Sequence, residues 1–155
     1  MTALLLLLQL VVGETQFQKY LRQAQEKLGI AQSQVVVSDD LAPGFVTESP
    51  YAAWVPYGPG ARGDVVYVRP WFLRDSNPLT QEIVALHESC HLYLGTSRRT
   101  LLPGEDRLQH LMIDGCVEWL LGPRHHQVMQ AIPCGRWYPY EALRYNRRIN
   151  KEKCR

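Results

Sequence analysis

The chain lacks any Cys-x-x-Cys pair. Its four cysteines, Cys90, Cys116, Cys134 and Cys154, are far apart in sequence, which excludes a zinc ribbon or a thioredoxin-type redox motif. It lacks an apolar run of the roughly 20 residues that crosses a bilayer, which excludes a polytopic membrane protein. It lacks an excess of either charge: 17 Lys and Arg face 15 Asp and Glu, for a net +2. That is not the profile of a dedicated nucleic-acid binder. It has neither an internal repeat nor a Gly/Ser-rich linker, and its 155 residues fit one domain. With 46% hydrophobic and 21% charged residues, it has the composition of a folded globule and not of a disordered tail.

Charge is also absent from the first thirteen positions. Leu4 to Leu8 and Leu10 to Val12 form an apolar block broken only by Gln9. The block is too short to span a membrane and fits the hydrophobic region of a secretory signal. Val11 and Gly13 are small enough for the −3 and −1 positions of a cleavage site before Glu14. The expectation is a signal peptide over 1–13, a single domain over 14–155, and a secreted or periplasmic protein. If the block is instead a buried first strand or helix, the protein is cytoplasmic. Export with an even cysteine count predicts disulfides. The expected pairs are Cys90–Cys116 and Cys134–Cys154, one of three connectivities; four buried thiols are the alternative.

Apolar periodicity places the elements. Phe17, Tyr20, Leu21, Ala24 and Leu28 recur at helical spacing within Glu14 to Leu28, and Gly29 stops that helix. Val35–Val37 reads as a short buried strand, and Leu41 to Pro50 as a loop. Tyr51 to Tyr57 and Asp64 to Arg69 read as two strands of a hairpin around the turn chemistry of residues 58–63. A long helix should begin near Pro78, capped by Asn77 or Ser76. Leu79, Ile83, Leu86, Cys90 and Leu94 form its apolar stripe, and Gly95 closes it. A polar loop, Thr96 to Pro103, leads to a second helix over Gly104 to Leu121, which Gly122-Pro123 ends. Pro139 to Asn150 can form a last helix. The expected class is α+β: an N-terminal helix and a short mixed sheet packed on two further helices.

The chemistry concentrates in His87-Glu88-Ser89-Cys90-His91, an H-E-x-x-H match. On a helix, residues four apart share a face, so both imidazoles can reach one ion. Glu88, beside His87, is placed to contact a water at that ion and is not itself a ligand. A zinc site of this kind needs a third protein ligand and keeps a fourth position open. The following helix offers His110, Asp114 and Glu118 on one face.

This arrangement resembles the gluzincins, the thermolysin-like zincin metallopeptidases and their compact relatives. In them H-E-x-x-H lies on one helix and a third ligand, usually Glu, lies on a following helix about 19 residues beyond the second histidine. The resemblance implies a zincin-like fold and one zinc ion held by His87, His91 and His110, with Asp114 orienting an imidazole from one turn later. Two other registers are open. Asp114-Gly115-Cys116-Val117-Glu118-Trp119 looks like the E-G-x-x-E-aromatic segment of aminopeptidase-type gluzincins, with Asp114 as ligand and Glu118 as its support. Glu118 itself would match compact gluzincins with a longer spacing. The resemblance covers about residues 62–123, and only the five-residue motif within it is specific.

The function implied is that of a zinc metalloendopeptidase in which Glu88 is the general base and the partner is a peptide or protein substrate. Tyr93, His125, His126, Tyr138 and Tyr140 are candidates for stabilising the oxyanion, although His125-His126 fits a surface loop after Gly122-Pro123. The strand Asp64-Val65-Val66-Tyr67-Val68 is expected at the rim of the cleft, where an extended peptide could pair with it; otherwise it only builds the sheet. Residues 136–155 carry seven basic and two acidic side chains, a local +5 against −3 for the rest. That segment reads first as a solvated amphipathic helix and second as an envelope-surface contact. Nucleic acid is not an expected partner, and a monomer is expected. Two other classes fit the same residues: a non-catalytic secreted module with disulfides and a closed structural zinc, and a DNA-associated H-E-x-x-H protease.

Overall fold

A computed structural model describes residues 13–38, 52–56, 64–95 and 105–133, with the side chains of 105–107 excepted. The proposed signal peptide, the Cys134–Cys154 pair, Tyr138, Tyr140, the loop over 41–50, the turn over 58–63 and the basic C-terminal segment lie outside the described residues. Among the described residues, no helix is long and apolar enough to cross a membrane.

The observed class is α+β, with five α-helices and a three-stranded sheet among the described residues. Helix α1 (Gln16–Leu28) starts at a capping box: Thr15 Oγ1 accepts from the Gln18 amide and Gln18 Oε1 accepts from the Thr15 amide. This satisfies two backbone donors that a helix start leaves open. Gly29 ends the helix at φ +68°, a conformation costly for any residue with a Cβ. Phe17, Leu21 and Ala24 are buried, as their spacing predicts. Gln25 is buried as well. Its amide nitrogen donates to Ser33 Oγ and its oxygen accepts from the Ser33 amide, which ties the turn after α1 to the helix.

Strands β1 (Gln34–Val37), β2 (Ala53–Trp54) and β3 (Val65–Val68) pair in the order β1-β3-β2. β2 and β3 are antiparallel, with Ala53 opposite Val68 and Trp54 opposite Tyr67. The strand pair expected of the hairpin is therefore present, though shorter. β1 runs parallel to β3 in a register that sets Val35 opposite Val66. β3 is thus the central strand, with neighbours on both sides. This corrects its expected place at the rim of the cleft: its backbone groups are already in ladders, and among the described residues the edges belong to β1 and β2.

After β3 the chain forms α2 (Pro70–Asp75), a short helix that periodicity does not reveal; it buries Phe72 edge-on to Phe17. Helix α3 (Pro78–Tyr93) starts on Asn77, whose Oδ1 accepts from the Thr80 amide at 3.0 Å, with Pro78 in the first turn. The cap is Asn77 and not Ser76. α3 is the central element, packed between α1 and α4 (Glu105–Leu121). One core cluster joins Ile83, Leu86 and Cys90 to Ile113, Val117 and Leu120 of α4. A second joins Ala85 to Phe17, Leu21, Val66, Val68 and Phe72. Gly122-Pro123 ends α4 at Leu121, as expected, but the chain stays helical beyond it. A 3-10 turn over Gly122–Arg124 leads directly into α5 (His125–Ala131). The surface loop expected at His125-His126 is therefore a helix, because Val128, Met129 and Ile132 fill the first core cluster. The bidentate pair of Arg124 with buried Glu82 of α3 fixes that turn.

Candidate metal centre

His87 and His91 lie one turn apart on α3, whose cap, proline start and buried stripe hold it in place. Their Nε2 atoms approach to 3.0 Å. α4 brings His110 alongside, with ring centroids 5.9 Å from His87 and 6.0 Å from His91. One ring nitrogen from each of the three lies within 4.8 Å of the others, and all three residues are half-buried. The grouping includes neither Asp114 nor Glu118.

Helix geometry explains that selection. Successive steps of four residues advance about 40° around a helix. His110, Asp114 and Glu118 therefore wind away from the buried stripe of Ile113 and Val117. His110 and Asp114 are half-buried and Glu118 is exposed. Asp114 sits one turn beyond His110, with its Oδ1 shielded from solvent. Glu88 is buried between the two histidines of α3 in sequence. Tyr93 is exposed at the end of α3, His125 half-buried and His126 exposed on α5.

Burial pushes the His91 imidazole down to about 3, and the neighbouring charges of His87 and His110 add to the effect. His91 therefore resists protonation, and a neutral imidazole is the form that binds metal. Tetrahedral zinc, with Zn–N bonds of about 2.0–2.1 Å, separates its ligand nitrogens by roughly 3.3 Å. The separations here are 3.0 Å for one pair and no more than 4.8 Å for any. Small side-chain rotations span the difference. The ring planes are inclined to one another at 68°, 36° and 90°. The donor set fits a first-row metal of zinc's kind.

The disulfide between Cys90 and Cys116, with an S–S distance of 2.02 Å, links α3 to α4. It joins the helix carrying two of the histidines to the helix carrying the third. Comparison with protein families, with curated proteins and with solved structures finds no match to this chain.

Proposed function

We propose that the protein is a zinc-dependent metallopeptidase whose metal ligands are His87, His91 and His110. The supporting observation is the convergence of three ring nitrogens within 4.8 Å from two helices, next to a buried glutamate. A bound zinc ion would supply Lewis acidity, lowering the pKa of a coordinated water to about 7 and polarising a carbonyl. Glu88 would accept the proton of the attacking water and return it to the leaving amine. Asp114 would support the His110 side of the site, in the manner of a carboxylate behind a ligating imidazole. Extended substrate would pair at an outer edge of the sheet, since β3 has no free edge. The protein would act as an exported monomer on peptides or unfolded proteins. The zincin-like character of the fold belongs to the same proposal.

The test measures bound zinc and hydrolysis of an unfolded protein for the parent, Glu88→Gln and His87→Ala. Glu88→Gln is expected to keep one zinc per chain and to lose activity by at least a hundredfold, the lower range for a general base. His87→Ala is expected to lose both. Equal turnover by the parent and Glu88→Gln would rule out the mechanism. Zinc bound by four protein ligands in a metal-bound structure would favour a closed structural site instead.

A further inference from the structure

We propose that the Cys90–Cys116 disulfide is a maturation lock on the metal centre: the three-histidine site assembles only once this bond has formed. The inference rests on the zinc reading above and adds a condition to it.

The two helices contribute to the site unequally. α3 presents His87 and His91 by its own four-residue spacing, wherever α4 lies. His110 joins them only when α4 is docked. The docking is uneven along α4. Val117, Leu120 and Leu121 anchor its second half, and the Lys27 ammonium donates to the Leu120 carbonyl there. The half that carries His110 buries Gln109 and Ile113, while Leu108, Leu111 and Met112 are all more than half exposed; in the second half Trp119 alone of the large apolar side chains is so exposed. The disulfide sits between these halves. Cys90 is fully buried in the cluster with Ile83, Leu86, Ile113 and Val117, and the next residue is the ligand His91. Cys116 lies six residues beyond His110. The covalent link therefore acts where the apolar packing of α4 thins toward the site.

The redox step balances without any cofactor. Two thiols react with a small-molecule disulfide oxidant: the Cys90–Cys116 bond forms, the oxidant's S–S bond breaks, two electrons pass to the oxidant, and the two protons leave on its released thiols. The chain is reduced where proteins are made and oxidised where disulfides persist, so the zinc site would be latent before export and competent after it. When the competent arrangement is only fractionally populated, apparent affinity falls by that fraction. By linkage, bound zinc and the disulfide favour each other.

The experiment measures zinc affinity of the metal-free full chain by competition with a chromophoric chelator. It compares the oxidised parent, Cys90→Ala/Cys116→Ala and Cys90→Val/Cys116→Ala. The valine variant refills the buried position, and circular dichroism establishes which variants fold. The expected result is about tenfold weaker zinc binding, or more, without the disulfide. In a His110→Ala background the same removal is expected to change affinity by less than about twofold, because the lock acts through His110. Parental affinity in a folded disulfide-free variant would overturn the lock. So would an equal loss in the His110→Ala background, which would mark a general destabilisation. Should neither variant fold, amide exchange on the phosphine-reduced parent decides: faster exchange in the His110 half of α4 than in the Val117 half supports the lock, and equal exchange overturns it. An oxidised parent that binds no zinc would instead overturn the zinc reading itself.

Discussion

His91 makes the stability of the metal-free protein depend on pH. Its imidazole is held down to about 3 in the fold, while an unfolded histidine titrates near 6.5. Between those values the unfolded chain binds the extra proton, so stability rises with pH there. The metal-free protein is therefore expected to keep its full stability above about pH 6.5 and to lose it progressively as the pH falls toward 3. The slope from this group is at most about 1.4 kcal/mol per pH unit. Denaturant melts at several pH values, with His91→Gln beside the parent, measure it; an unchanged slope in the variant would assign the effect elsewhere. The three acidic-helix candidates also separate by single substitution. His110→Ala is expected to weaken zinc binding most. Asp114→Asn should cost about tenfold or more, as for a carboxylate behind a ligand. Glu118→Gln, on an exposed residue, should leave affinity unchanged. Chelator competition orders the three, and a dominant effect at Glu118 would restore the longer register.

Helices were legible from the sequence where their signals are local. The apolar spacing from Phe17 to Leu28, Gly29, Asn77 with Pro78, and the stripe from Leu79 to Leu94 are local patterns, and α1 and α3 begin and end close to where they predict. Asn77→Ala is expected to cost about 1 kcal/mol of stability by loss of the α3 cap, measured as a shift in the denaturation midpoint. α2 was not legible because six residues hold less than two turns, too few to display a period. The helix at His125 was missed because Gly122-Pro123 is a strong local stop signal. The stop does end α4, and what restarts a helix after it is distant: the core under Val128 and Met129 and the pairing of Arg124 with Glu82. α4 shows a second ambiguity, since it is apolar on two faces. Ile113 is fully buried and Leu111 is 52% exposed. Ile113→Ala should therefore cost about 2–5 kcal/mol, whereas Leu111→Gln should stay within about 0.5 kcal/mol. Comparable losses at both sites would show that a further surface covers the outer face of α4.

Across the whole molecule, the proposed zinc site would couple metal to fold, because its three histidines come from two helices. Removing zinc with a chelator is expected to lower the melting temperature of the parent by the linkage term, about 2.7 kcal/mol when free zinc is a hundredfold above its Kd. The same treatment should leave the melting temperature of His87→Ala unchanged. Calorimetry with and without chelator checks both.

The H-E-x-x-H spacing and the helix that carries it could be read before any coordinates, because helical periodicity is a property of the chain itself, whereas cysteine parity left three pairings open and the packing of α3 on α4 decided for Cys90 with Cys116. The order of the strands could not be read. The run over 64–68 has the same residues whether it lies at an edge or in the centre, and only the parallel pairing of β1 across the sheet makes it central. The placing of His110, and not Asp114 or Glu118, beside the other two histidines was likewise undecided by spacing. All three lie four apart on one helix, and the choice depends on how far α4 is rotated when Ile113 and Val117 pack against Ile83, Leu86 and Cys90. Local spacing sets which side chains can share a face; long-range packing sets which way that face turns.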